Sequence, residues 1–247
     1  MCSRRWTRRA REASSRPEPL HRFFAPVVDG FAQLNAAQLH QIRRVLRIRE
    51  GEPIGIFDGS GLEWLARLSD GDIEIERPLM DAVEPRTQLT LFQAVIKAPK
   101  FELVLQKCTE LGVTRFVPFR AERSVALTDK PERWRSILIE AAEQSGRRMV
   151  PEISPVLSFT EALGEATQRG VPFLAWEQAE RPKLASVHRP ARDLALIIGP
   201  EGGFTEAEVG SARNRGAAVV SLGRRVLRSE TAAIAASALL LHLNGEL

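Results

Sequence analysis

From residue 89 to residue 243 the chain alternates short apolar runs with amphipathic ones, and that alternation leaves few folds open. "LTLFQAVIK" (89–97), "RFVPF", "PFLAWE", "DLALIIG" and "AAVVSLG" read as strands. Between them, "KFELVLQKCTELG" (100–112) puts Phe101, Val104, Leu105, Cys108 and Leu111 on one helical face and ends in Gly112, a suitable C-cap. "PERWRSILIEAAEQSG" opens with Pro131 and closes at Gly146, and a last helix is expected from Ser229 to Leu243. Strands that alternate with helices predict an α/β domain with a mostly parallel sheet.

Ahead of it the style differs. "EPIGIFDGSGLEWLARL" gives a strand over Pro53–Phe57, the turn Asp58-Gly59-Ser60-Gly61, and a second strand over Leu62–Leu68. "DGDIEIERPL" follows with period-two alternation, and only "NAAQLHQIRRVLRI" breaks into helical spacing, through Leu39, Ile42 and Leu46. Short strands at this spacing predict a small β-barrel. The expected layout is a basic flexible extension over 1–20, a barrel over 21–80, the Pro-containing linker "DAVEPRTQ" over 81–88, and the α/β domain over 89–247.

The extension, "MCSRRWTRRAREASSRPEPL", has no apolar core of the kind a secretory signal needs; a misassigned start codon is the alternative reading. No apolar run approaches the roughly 18 residues of a membrane span. Cys2 and Cys108 cannot build a disulfide framework, and His21, His40, His188 and His242 lack ligand-spaced neighbours. A reducing, cytoplasmic protein without a metal is expected. Net charge is +4 with an isoelectric point near 9.6. Lys stands only at 97, 100, 107, 130 and 183, so Arg carries nearly all the positive charge. Arg suits bidentate phosphate contacts, but a GC-rich genome gives the same bias, so charge permits RNA binding without showing it.

Three motifs carry candidate chemistry. In "IIGPEGGFTEAE" a strand ends at Gly199, and Thr205 with Glu208 forms a capping box that starts a helix. The glycines between, Gly199, Gly202 and Gly203, permit positive φ and leave backbone N–H groups free to face a ligand, at the strand end where α/β folds bind them. It is neither a Walker A loop nor Gly-x-Gly-x-x-Gly. "SLGRRVLRSETAAIAASALL" repeats the plan, with Arg224, Arg225 and Arg228 in the loop, Ser229 as an N-cap, and a small apolar face of Ala232, Ala233, Ala235 and Ala236. In "QKCTELGVTRFVPFRAERS", Glu110 and Arg115 flank a helix-turn-strand and Glu110 reads equally as a structural salt-bridging residue, whereas Arg120 and Arg123 follow a strand end and are expected at the same cleft.

Together, "ELGVTRFVPF", "LIIGPEGGFTEAEV" and "SLGRRVLRSETAA" resemble the SPOUT class of methyltransferases, and in particular the RsmE family. "RFF" (22–24) and "HQIRRVLRIREGEPIGIFDGSG" match that family's amino-terminal part, so the resemblance covers about residues 21 to 245. It implies a PUA-like RNA-binding barrel followed by a parallel sheet with a deep trefoil knot. It implies methylation by S-adenosylmethionine (SAM) of N3 of a uridine, uridine 1498, in 16S small-subunit ribosomal RNA, within the assembled subunit, by a homodimer. A ribose 2′-O-methyltransferase of the same class and a non-catalytic assembly factor are the competing readings.

The resemblance assigns SAM to Gly199, Pro200, Glu201, Gly202 and Gly203, to Ser221, Leu222 and Gly223, and to Val226, Leu227, Arg228, Ser229, Thr231 and Ala232. The family commonly has Thr at the position of Ser229, so the hydroxyl is kept. Loss of the N3 proton spreads negative charge onto the uracil oxygens, which an Arg fork stabilises. Arg228 is the first candidate for that role, with Arg120 and Arg123 supporting. Glu201 is either a general base or structural, with water then taking the proton. RNA contacts are expected from Arg22, Arg43, Arg44, Arg47, Lys97, Lys100 and Arg147.

Overall fold

The computed structural model describes residues 20–79, 84–124 and 129–247. The basic extension, apart from residue 20, and residues 81–83 of the expected linker lie outside the described residues. The chain divides into two compact units: Met1–Asp58 with Leu62–Met80, and Gly59–Gly61 with Asp81–Leu247.

The first unit holds β1 (Arg22–Phe24), β2 (Val27–Val28), β3 (Phe31–Ala32), α1 (Ala36–His40), β4 (Pro53–Phe57), β5 (Glu63–Ser69) and β6 (Asp72–Leu79). The strands run in the order β1-β4-β5-β6-β3-β2. The hydrogen-bonded ring expected of a barrel is therefore not complete, because β1 and β2 are the two ends of the path. Two residues join those ends in sequence, so the sheet has to curl until its edges nearly meet. Its interior holds Phe23, Ile42, Ile54, Ile56, Ala66, Leu68 and Ile73. A capping box between Asn35 and Gln38 starts α1, which continues as a π-helical turn over Gln41–Val45. That wider turn spoils the helical spacing: Ile42 is buried, while Leu39 and Leu46 are half-buried.

The second unit holds seven strands and six helices among the described residues. In chain order they are β7 (Gln88–Ala94), α2 (Ala98–Leu111), β8 (Arg115–Arg120), α3 (Pro131–Ser145), β9 (Glu152–Ile153), β10 (Leu157–Ser158) and α4 (Phe159–Arg169). Then come β11 (Val171–Ala175), α5 (Leu184–Val187), β12 (Asp193–Ile198), α6 (Glu206–Asn214), β13 (Ala218–Val220) and α7 (Ser229–Leu243). The strand order is β10-β8-β7-β12-β11-β13, with β9 on β8, and every pairing is parallel.

Both faces of this sheet are covered, which explains why its strands read as continuous apolar runs. Along β12, Leu194, Leu196 and Ile198 join the core with Phe101, Leu105, Trp134, Leu138 and Leu240. Ala195 and Ile197 point the other way, to Phe119, Phe159, Leu163, Phe204 and Val209. Gly112 and Gly146 end α2 and α3 in the left-handed region, at φ 110° and 84°. The sequence reading passed over α4, although Ser158 and Glu161 form its capping box. The Ser158 hydroxyl and backbone N–H both bond the Glu161 carboxyl and hold it below the usual carboxylate range.

Candidate active site

Strands β12, β11 and β13 lie side by side, so the loops leaving their C-terminal ends converge. They wall a cavity of about 380 Å³. Its lining contains 13 of the 14 residues assigned to SAM from the sequence; Thr231 is absent from it and is exposed on α7. Ala175, Trp176, Glu177, Ile198, Arg225 and Lys100 join the wall without having been assigned to it. The sequence signal for β11 was its apolar run, and it carried no glycine to flag the residues just past its end.

The glycines of the first loop serve different needs from the one expected. Of Gly199, Gly202 and Gly203, only Gly203 has a positive φ, 70°. A Cβ on Gly199 would meet the Phe204 ring at 2.9 Å, and one on Gly202 would meet the Cβ of Arg123 at 3.1 Å. Close packing, more than backbone conformation, requires those two. Beyond the turn, Thr205 caps α6 reciprocally with Glu208, as the spacing suggested.

Ser229 is not an N-cap. Arg228 occupies that position, without a side-chain cap, and Ser229 is the first residue of α7. Its hydroxyl donates to the Gly199 carbonyl at 2.6 Å and accepts from the Gln93 side-chain amide at 3.0 Å. One buried hydroxyl thus ties the second loop to the first and both to the central strand β7.

Lys100, expected to contact RNA, lines the cavity instead. Its ammonium lies 3.3 Å from Glu201 and 3.6 Å from the carboxylate of Glu230, which is buried in the first turn of α7. Arg228 and Arg225 are exposed and line the same cavity. Arg123 reaches the first loop, donating to the Gly202 carbonyl at 3.1 Å. Arg120 pairs with Asp129 at 2.7 Å and is not part of the lining. Glu110 is in a structural salt bridge, with Lys107, and Arg115 binds Glu152 and Glu165.

Two other expected RNA contacts prove internal. Arg147 is 4% exposed and donates to the carbonyls of Thr109 and Val113 and to Glu84. Arg22 pairs with the buried Glu63 at 2.7 Å and stacks on Phe57. A chain rich in Arg uses some of them to close its own cores, and sequence spacing does not separate those from surface ones. Arg43, Arg44, Arg47 and Lys97 are exposed, and Arg43 donates to the Gly71 carbonyl.

Residues 83–241 match the family described as RNA methyltransferase domain, and residues 34–76 match the RNA methyltransferase PUA domain. The chain is 34% identical over 215 residues to the ribosomal RNA small subunit methyltransferase E of Synechocystis, covering 83% of this chain and 71% of that protein. The chain belongs to the ribosomal RNA small subunit methyltransferase E family. The Bacillus subtilis member is 32% identical over 217 residues, covering 81% of this chain and 85% of its own. The crystal structure of the Neisseria gonorrhoeae member, bound to S-adenosyl methionine, superposes with a TM-score of 0.84 at 33% identity, covering 91% of this chain and 98% of that one. The RsmE-family fold is thus a curled PUA sheet and a parallel α/β sheet like that of SPOUT methyltransferases.

Proposed function

We propose that this chain transfers the methyl group of SAM to N3 of a uridine, uridine 1498, in 16S ribosomal RNA. The observation that carries the reading is the cavity at the ends of β12, β11 and β13, whose lining includes Gly199, Gly202, Gly203 and Gly223. Its volume lies within the roughly 300–1,000 Å³ of small-molecule sites. The residues present fit SAM: a glycine loop offers peptide groups, Leu222 and Leu227 offer apolar surface, and Glu177 offers an acceptor. When bound, SAM supplies a methyl already activated by its sulfonium. The protein's part is to orient the uracil and stabilise the charge left as N3 loses its proton.

Arg228 is the residue proposed to meet that charge. It lines the cavity at the N-terminus of α7, so its guanidinium and the helix dipole act in the same sense. Arg123 supports by holding the Gly202 carbonyl. Glu201, ion-paired with Lys100, serves to hold the wall, and water takes the N3 proton. RNA phosphates are met by Arg43, Arg44, Arg47 and Lys97, with the 21–80 segment as the RNA-binding domain and 89–247 as the methyltransferase domain. The family resemblance supports a trefoil knot, a cytoplasmic site of action and a homodimer. A second copy would cover Val226, 77% exposed in the loop beside the cavity.

The test is methyl-labelled SAM with unmodified small subunits and, separately, protein-free RNA, followed by nucleoside analysis. Label in 3-methyluridine supports the reading, and label in a ribose-methylated nucleoside or none at all refutes it. Arg228→Ala is expected to lower turnover by about a hundredfold or more, with SAM affinity changed far less. An unchanged rate would remove Arg228 from the reaction.

A further inference from the structure

Three carboxylates stand in or beside the cavity, and they are not equivalent. Glu201 and Glu230 share Lys100. Glu177 has no hydrogen-bond or ion-pair partner among the described residues. It lies two residues past the end of β11, and β11 is the middle strand of the three whose loops form the site. Chain topology therefore delivers this side chain between the two loops that were legible in the sequence.

Its carboxylate is held close over the first loop. A Cβ on Gly203 would come within 2.2 Å of Glu177 Oε1 and 3.2 Å of Oε2, so both oxygens lie along that loop. A carboxylate accepts hydrogen bonds and donates none. Elsewhere in the wall, Ile198, Leu222, Val226 and Leu227 offer apolar surface that matches a base, and Lys100, Arg225 and Arg228 offer charge that matches a carboxylate. What Glu177 lacks is a pair of neutral donors spaced like its own two oxygens. A ribose offers that pair in its vicinal hydroxyls.

We propose that Glu177 reads the ribose of the cofactor, its two oxygens accepting from the 2′- and 3′-hydroxyls, and so sets the specificity for a ribonucleoside ligand. The proposal rests on the reading of the cavity as a SAM site. A site built to hydrogen-bond a hydroxyl rejects the analogue that lacks it, because its own polar group is left unpaired. A merely structural carboxylate would not discriminate in that way.

The experiment is calorimetry with S-adenosylhomocysteine and its 2′-deoxy and 3′-deoxy analogues, on the wild type, Glu177→Gln and Glu177→Ala, each checked by thermal melt. The wild type should bind either deoxy analogue about tenfold or more weakly than the parent. Both variants should lose about tenfold in affinity for the parent, and the penalty for a missing hydroxyl should shrink to about twofold or less. Variants that keep the full preference for the parent, whether or not they bind it more weakly, would overturn the proposal. A wild type that binds the parent and its deoxy analogues equally would also overturn it. Failure of the wild type to bind S-adenosylhomocysteine at all would overturn the SAM-site reading, and the proposal with it.

Discussion

Replacing Ser229 by Ala removes one oxygen from a site where two loops and a strand meet. The residue is 6% exposed, so water does not readily take the place of the hydroxyl. Two hydrogen bonds go. The Gly199 carbonyl loses its 2.6 Å donor, but Gly199 is half-exposed and can recover part of the loss from solvent. Gln93 is 1% exposed and loses the 3.0 Å acceptor for its amide, while keeping its 2.9 Å bond to the Ala94 carbonyl. A buried polar group left without its partner costs about 1–3 kcal/mol, and the partial compensation at each end places the sum near 2 kcal/mol. For a unit of this size that is a drop of about 4–8 °C in melting temperature. Both loops line the cavity, so S-adenosylhomocysteine affinity should fall as well. Ser229→Thr keeps the hydroxyl and should restore most of both. Urea unfolding and calorimetry read the two effects. A Ser229→Ala protein within about 0.5 kcal/mol of the wild type, with unchanged ligand affinity, would refute the claim that this hydroxyl couples the loops.

Gly203→Ala should destabilise by about 1–2 kcal/mol through its positive φ alone, with a further loss where its Cβ meets the Glu177 carboxylate. In urea, Gly203→Ala combined with Glu177→Ala should lose less than the sum of the two single changes; strict additivity would mean the two do not touch. Arg147→Ala takes a donor from the Thr109 and Val113 carbonyls and from Glu84, which keeps the backbone N–H groups of Arg148 and Met149, and should cost about 2–3 kcal/mol without altering the salt dependence of RNA binding. A reduced salt slope in that variant would instead make Arg147 a phosphate contact. Burial pushes the Cys108 thiol up to about 12, against the weaker pull of its contact with Ser237. Near pH 8 the thiol then stays protonated, and the thiol form is not the nucleophile. Iodoacetamide should spare the Cys108 peptide in native protein and label it in urea, and native labelling at the rate of a free thiol would contradict that burial.

The elements legible in sequence were those whose pattern is local. Pro53–Phe57 and Ser229–Leu243 were read with the boundaries they have, and Gly112 and Gly146 end their helices as expected. The loops 199–203 and 221–229 stood out through glycine, and the lining contains all of their residues but Arg224. What stayed hidden depends on who meets whom. Nothing near Glu177 tells that β11 pairs between β12 and β13, and that pairing brings it into the wall. Ser229 looked like a cap because it precedes a helix, and its real partners lie 30 and 136 residues away. Arg22 and Arg147 carry the same charge as Arg44, and only packing separates an internal guanidinium from an exposed one.

The bond between Gln93 and Ser229 also orders events in time. On a ribosome making this chain, β7 emerges before α7, and the hydroxyl bonded to Gln93 arrives 136 residues later. Contacts of such separation form late, since closing a long loop comes before any gain from the contact. The sheet through β12 can assemble first as an empty platform. The capacity to bind then comes only once α7 has been made and docks, when its first residue closes the cavity wall.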